Sequence, residues 1–245
     1  MEQLYEKYPS LRKFENDDYQ ESHDGREVAL LKHIYSHPSL PQIRDSPSTL
    51  LDLMDEYAAK QDFLISIGPD KAEKIAKLVA DEKSKVIVEL GGYLGYSAIL
   101  FADAMRQAAS GTSTELRVWS FEADPLIASI AMNFIDLVGL SDIVKVVVGP
   151  AADSLKRLSA EGKLPKVDLL FLDHVEDLYK TDLEVAEQLG FLHSGALVLA
   201  DNVVRPGAPA YREYVRGSPK YESWGLKSLI IPGEAEDEIE VSRVK

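Results

Sequence analysis

The sequence has no cysteine among its 245 residues, so disulfides, thiolate nucleophiles and zinc–thiolate sites are all excluded. It also has few basic residues, because 27 Lys and Arg stand against 41 Asp and Glu, which gives a formal net charge of -14 at pH 7. Nucleic-acid binding depends on clustered basic side chains that displace counterions, so we expect no nucleic-acid partner. Any metal site must use oxygen ligands or the five histidines.

Long apolar runs are absent as well. None approaches the roughly 20 residues that a membrane-spanning helix requires, and the charged start lacks the apolar segment of a signal peptide. We therefore expect a cytoplasmic protein with no membrane partner, and leave its oligomeric state open. The length fits one α/β domain over residues 1–245, and 45% hydrophobic residues can fill its core.

The first part of the chain, residues 1–84, is expected to be a helical preface. Apolar residues recur at helical spacing in REVALLKHIYSH and in STLLDLMDEYAAKQDFL. Prolines 38 and 41 separate these two segments, and Gly68 with Pro69 separates the second from a third, DKAEKIAKLVADE.

The second part, residues 85–245, alternates short β-branched runs with amphipathic segments. The runs are KVIVEL, ELRVWSFEA, IVKVVVG, KVDLLFLD and GALVLADN. This alternation predicts a doubly wound α/β fold with a parallel sheet and helices on both faces. Two weaker runs, SLIIP and IEVSRV, predict a closing hairpin, which makes seven strands, and the acidic stretch GEAEDEIE between them is expected to be a solvated tip.

A glycine-rich turn follows the first strand, in VIVELGGYLGYS. Glycine is needed where the backbone turns tightly and approaches a ligand, but the spacing after Glu89 is not that of a dinucleotide-binding turn. The second strand ends at Glu122, where doubly wound folds place a ribose-binding carboxylate. Either feature alone has a simpler explanation, helix–strand packing or a solvated charge. Together, on consecutive strands, they favour an adenosyl ligand.

Polar residues also end the fourth and fifth strands, in FLDH and LADN. Asp173, Asp201 and Asn202 should therefore meet at one edge of the sheet and present only oxygen atoms, which suits Mg²⁺. An Asp-Asn pair by itself is more often a turn or a helix cap.

The sequence resembles the catechol O-methyltransferase family in the motifs DGRE, ELGGYLGYSA, FLDH, LADNVVRPGAP and VRGSP, which occur in one order. The resemblance implies a single Rossmann-like domain that uses S-adenosylmethionine and Mg²⁺ to methylate a hydroxyl of a catechol-like small molecule. It implies that Asp173, Asp201 and Asn202 hold the metal. The residues that it assigns to the cofactor are Ile67, Glu89, Gly91, Tyr93, Ser97, Glu122, Ala151, Ala152, Asp173 and His174.

The substrate side departs from the family pattern. Glu176 stands where the family has a lysine that takes the hydroxyl proton. The residues expected to be catalytic are therefore Glu176, at the lysine position, together with Asp173 and Asn202. The substrate pocket is expected to include Phe63, Val175, Arg205 and Pro206. Phe63 and Val175 replace family tryptophans, and Ala151 and Ala152 replace polar adenine contacts.

This departure leaves three hypotheses. The chain is an O-methyltransferase with another proton acceptor, an S-adenosylmethionine-binding homologue with a different reaction or substrate, or a non-catalytic adenosyl-binding protein.

Overall fold

A computed structural model describes residues 2–15, 19–110 and 115–245 of the chain. Its strands are β1 (Val86–Leu90), β2 (Arg117–Glu122), β3 (Val144–Val148), β4 (Val167–Leu172), β5 (Leu192–Ala200), β6 (Tyr221–Ile230) and β7 (Ala235–Val244). They form one seven-stranded sheet in the order β3-β2-β1-β4-β5-β7-β6. Strands β1 to β5 are parallel, whereas β7 is antiparallel to both β5 and β6. The predicted doubly wound, mostly parallel sheet is confirmed.

Helices cover both faces of this sheet. They are α1 (Glu2–Lys7), α2 (Arg26–Ser36), α3 (Leu40–Ile43), α4 (Pro47–Lys60), α5 (Gly68–Asp81), α6 (Tyr96–Ala108), α7 (Pro125–Leu137), α8 (Ala151–Ala160), α9 (Tyr179–Gln188) and α10 (Pro209–Gly217). Short 3-10 helices span Pro9–Glu15 and Glu176–Leu178, and a π-helical turn spans Val203–Gly207. None of the helices in the described ranges is long and apolar enough to cross a bilayer.

The core has two layers, because successive residues of a strand point to opposite faces. On β1, Ile87 packs in the cluster that includes helices α4 to α7, and its neighbour Val88 packs in the cluster that includes α8, α9 and α10. The ring of Phe101 on α6 meets that of Phe171 on β4 edge-on, with centroids 5.3 Å apart. The layers hold the carboxyl ends of the strands at one edge.

The helical preface is anchored near that edge by Arg26, which is only 2% exposed. Its guanidinium donates to the Asp24 carboxylate, to the Tyr19 hydroxyl and to the carbonyls of Gln20 and Phe63. One side chain thus links the segment before α2 to the segment before α5. Both segments pass beside the site described below.

The acidic stretch near the end of the chain is not a solvated tip, so that prediction was wrong. Strand β7 already begins at Ala235, and Asp237 and Glu240 are 3% and 0% exposed. The carboxylate of Glu240 accepts from Arg212 and Arg216 of α10, with distances between 2.7 and 3.2 Å. Basic partners from elsewhere in the chain offset the desolvation cost of burying these carboxylates.

Candidate active site

Two adjoining cavities lie beyond the carboxyl ends of the parallel strands. The first, which we call the glycine-turn cavity, has a volume of about 530 Å³ and is bounded by the turns after β1, β2, β3 and β4. Of the residues predicted for the cofactor, its wall includes Ile67, Gly91, Tyr93, Ser97, Glu122, Ala151, Ala152, Asp173 and His174. Nine of the ten predicted cofactor residues therefore surround one space.

The glycine turn has a clear steric origin. Gly91 has a φ of +98°, and a Cβ atom there would lie 2.0 Å from the carbonyl oxygen of Asp173. At Gly92 a Cβ atom would lie 2.4 Å from the Ser120 hydroxyl oxygen. A side chain at Gly91 would push apart the turns after β1 and β4, and one at Gly92 would push the turn after β1 away from β2. The glycines therefore serve close packing and also bring backbone to the cavity wall.

Glu122 is held at the end of β2 by two backbone donors. Its Oε2 accepts from the Tyr93 N–H and its Oε1 from the Asp124 N–H, both at 2.8 Å. A carboxylate oxygen has two lone pairs, so each oxygen can accept a further hydrogen bond from the cavity. Burial raises the pKa of Glu122 despite these donors. The carboxylate is therefore held in one orientation at the cavity wall.

Glu89 lies beneath the cavity and not on its wall. It is 0% exposed, it accepts a hydrogen bond from the Ser120 hydroxyl, and burial raises its pKa to about 7. Ser97, at the start of α6, does line the cavity while being only 5% exposed. Glu89 can therefore support the turn after β1, but it presents no atom to a ligand in this cavity.

His174 lines both cavities and is fixed by Asp182 of α9. Its Nε2 lies 2.9 Å from Asp182 Oδ2, and its buried Nδ1 has no partner among the described residues. A carboxylate at Nε2 favours the tautomer with the proton there, which leaves Nδ1 as an acceptor. The loop after β3 has no polar side chain at Ala151 or Ala152, so His174 supplies polarity that this loop lacks.

The second cavity, which we call the aspartate cavity, has a volume of about 490 Å³. Its wall includes Glu21, Phe63, Lys71, Asp173, Glu176, Asp201, Asn202, Arg205 and Pro206. It shares Ile65, Ser66, Ile67, Asp173 and His174 with the glycine-turn cavity. Val175, predicted for the substrate pocket, lines the glycine-turn cavity and not the aspartate cavity.

The three predicted metal ligands meet on the wall of the aspartate cavity. Within the described residues the Asp173 carboxylate forms no hydrogen bond or ion pair, and its pKa is raised well above the usual range by burial and by Asp201. Asn202 has a φ of 57°, and its Nδ2 donates to the Arg205 carbonyl at 2.9 Å. No three His, Cys, Asp or Glu side chains in the described ranges are arranged as a group that could hold a metal ion.

Two further residues of this region escaped prediction, Lys71 and Asp237. The Lys71 ammonium lies 2.6 Å from Asp201 Oδ1 and 2.7 Å from Asp237 Oδ2. Burial alone would lower the pKa of Lys71, but the two carboxylates outweigh it and raise the pKa, so the side chain stays cationic. Lys71 lies in a helix that carries several lysines, and Asp237 lies in an acidic run, so neither stood out in the sequence.

Comparison with known proteins identifies the family of this chain. The family model described as O-methyltransferase matches residues 42–216. Catechol O-methyltransferase of Bos taurus is 30% identical over 216 residues, covering 88% of this chain and 75% of that protein. A probable O-methyltransferase of Mycobacterium tuberculosis is 34% identical over 197 residues, covering 79% of each chain.

Among solved structures, the O-methyltransferase from Bacillus cereus in complex with SAH has the same fold. Its TM-score is 0.66 at 22% identity, and the match covers 89% of this chain and 97% of that one. The resemblance noted in the sequence is thereby confirmed, and the chain belongs to the O-methyltransferase family, with the catechol O-methyltransferases among its relatives.

Proposed function

We propose that the chain binds S-adenosylmethionine in the glycine-turn cavity and transfers its methyl group to a hydroxyl of a catechol-like small molecule in the aspartate cavity. The observation that carries this proposal is the wall that the two cavities share. Ile65, Ile67 and Asp173 border both spaces. A donor in one cavity and an acceptor in the other can therefore approach each other directly, as an in-line displacement requires.

Cofactor binding is supported by the polar groups of the glycine-turn cavity. Glu122 offers two acceptor oxygens for the ribose hydroxyls, His174 Nδ1 offers an acceptor for the adenine amino group, and Ser97 a hydroxyl for the methionine carboxylate. The Bacillus cereus structure of the same fold contains SAH, the demethylated product of this cofactor.

A divalent cation is supported by the charges around Asp173. The buried carboxyl groups of Asp173, Asp201 and Asp237 have one basic partner among the described residues, Lys71, which pairs with Asp201 and Asp237 and leaves Asp173 without an ion pair. The oxygen donors fit Mg²⁺. When bound, the metal would acidify and orient an acceptor hydroxyl.

Transfer itself breaks the bond from sulfur to the methyl carbon, forms a bond from that carbon to the acceptor oxygen, and releases the hydroxyl proton. The aliphatic side chains of Ile65 and Ile67 would exclude water from the reacting atoms at the shared wall. Glu176 lines the aspartate cavity at the position of the missing lysine, and it or solvent would receive the proton.

The same cavity would select among acceptors by charge. Glu21 and Glu176 both line it, and neither forms an ion pair within the described ranges. The Arg205 side chain partly offsets them, but its Nε donates to the Glu236 carbonyl at 3.0 Å. An acceptor that carries a cationic group, or whose hydroxyl is already acidic, would be favoured over a simple catechol.

A second candidate is an S-adenosylmethionine-binding homologue with a different reaction, or one without catalysis. The observation that favours it is Glu176, because a carboxylate beside Asp173 and Asp201 opposes formation of a second anion in the aspartate cavity.

Calorimetry and a methyl-transfer screen test these proposals in order. We expect micromolar binding of S-adenosylmethionine, about 8 kcal/mol, then transfer of labelled methyl to catechols or related phenols that stops with a chelator and returns with Mg²⁺. Asp173→Asn should lose the Mg²⁺ response, and the exposed Asp142→Asn should keep it. Cofactor binding without transfer to any catechol, phenol or amine would favour the second candidate. Transfer unaffected by thorough chelation would refute the metal.

A further inference from the structure

A buried triad of one cation and two anions adjoins the proposed metal ligands. Lys71 of α5 bridges Asp201, which follows β5, and Asp237 of β7, at 2.6 and 2.7 Å. The three side chains are 2%, 2% and 0% exposed. The interactions are thus shielded from solvent, where charges act strongly on one another.

Asp237 is the most firmly held member of this triad. Its Oδ1 accepts from the N–H groups of Val204 at 3.1 Å and Arg205 at 3.0 Å, and its Oδ2 accepts from Lys71. Asp237 therefore pins the loop that carries Asp201 and Asn202 with one oxygen, and it engages the ammonium with the other. The two roles can be separated experimentally, because only the second requires a negative charge.

We propose that Asp237 is a positioning residue that sets the affinity of the site for a divalent cation, by drawing the Lys71 ammonium partly away from Asp201. This inference rests on the proposed function, because it presumes that Asp201 is a metal ligand. It concerns only the fixed charges of this chain. Asp237 would not touch the metal or the acceptor.

The physical basis is competition for one carboxylate. An ammonium 2.6 Å from Asp201 offsets the charge that would attract a metal, and it repels the metal itself. Asp237 offers the ammonium a second anion and so restores the negative charge of the triad. Without that anion, Lys71 would be committed to Asp201 alone. If both the Lys71 and the Asp237 charges were removed, the triad would keep the net charge that it has in the parent protein.

Three variants separate charge from structure. Asp237→Asn keeps an oxygen that can accept from Val204 and Arg205 but removes the negative charge. Lys71→Met keeps a side chain of similar length and removes the ammonium. The double variant removes both charges and leaves the net charge of the triad unchanged.

The measurement is the Kd for Mn²⁺ from electron paramagnetic resonance, with Mg²⁺ competition, on the full chain without acceptor. We expect Asp237→Asn to bind Mn²⁺ at least about tenfold more weakly than the parent and Lys71→Met at least about tenfold more tightly, with the double variant within about threefold of the parent. Thermal unfolding in chelator reports folding separately. If Asp237→Asn does not fold, the double variant takes its place and should bind Mn²⁺ more weakly than Lys71→Met, because the two differ only in the Asp237 charge.

The outcomes distinguish failure of this inference from failure of the proposed metal site. Parent protein that binds Mn²⁺, with folded single variants whose Kd is unchanged, overturns the role of Asp237 and leaves the proposed metal-dependent function intact. Affinity lost equally in the Asp237→Asn and double variants also overturns it, because the loop contact and not the charge would then be responsible. Parent protein that binds no Mn²⁺ overturns this inference and the metal site together.

Discussion

Replacing Glu122 with alanine tests the cofactor proposal at its best-defined residue. The carboxylate is fixed by the N–H groups of Tyr93 and Asp124 at 2.8 Å, so it would meet the proposed ribose without reorganising. A hydrogen bond to a charged group contributes about 1.5–3 kcal/mol, and two ribose hydroxyls would lose about 3–6 kcal/mol. Water can enter the space in Glu122→Ala and satisfy the exposed groups. We therefore expect the lower bound, a loss of at least about 100-fold in affinity for S-adenosylmethionine.

Titration calorimetry of the parent and of Glu122→Ala measures this loss, with Glu115→Ala as the control because Glu115 is exposed and lies just before β2. A cofactor analogue without one ribose hydroxyl sharpens the test. It should bind the parent more weakly than the intact cofactor does, but bind Glu122→Ala about equally well, because the interaction is already lost. Folded Glu122→Ala with an affinity within about threefold of the parent would refute the assigned ribose contact.

Two further predictions concern charge. Glu176→Lys should raise turnover of simple catechols by at least about tenfold, or roughly 1.4 kcal/mol in the barrier, because it replaces an anion in the aspartate cavity with a cation. Unchanged cofactor binding by the variant serves as the control. A variant that turns over no catechol faster than the parent would contradict the argument. Asp55 lines neither cavity, and burial raises its pKa to about 7 although the Tyr96 hydroxyl donates to it. Its protonated form is therefore favoured in the folded state, so the free energy of unfolding should fall as pH rises between about 4 and 7, by up to roughly 1.4 kcal/mol per unit. Urea unfolding of Asp55→Asn should lack this contribution, and identical pH profiles for variant and parent would count against it.

The parallel strands were predictable because each is a short β-branched run bounded by turn residues. Strand β7 was only partly predictable, because its first half is acidic and resembles a solvated turn. Whether an acidic strand is buried depends on its partners, and Lys71, which binds Asp237, lies 166 residues earlier in the sequence. No local pattern carries such a pairing.

The site divides in the same way. Much of the wall of the glycine-turn cavity follows directly after β1 to β4, so motifs after strands located it, although Glu89 lies beneath the cavity. The aspartate cavity collects Glu21, Phe63, Lys71, Glu176 and Ile230 from separate parts of the chain. Glu21 gave no signal in the sequence, because an exposed glutamate in a charged segment has no distinguishing context until the fold brings it there.

Different turns at the strand ends border the two cavities, so the protein is suited to directed evolution toward new acceptor molecules. The turns after β2 and β3 border the glycine-turn cavity alone, and the turn after β5 borders the aspartate cavity alone. A library that randomises Glu21, Phe63 and Arg205 would change the wall of the aspartate cavity, the proposed acceptor site, while leaving Glu122 and Ser97 unchanged. Selection could then explore new alcohols and phenols without changing the cavity proposed to bind the methyl donor.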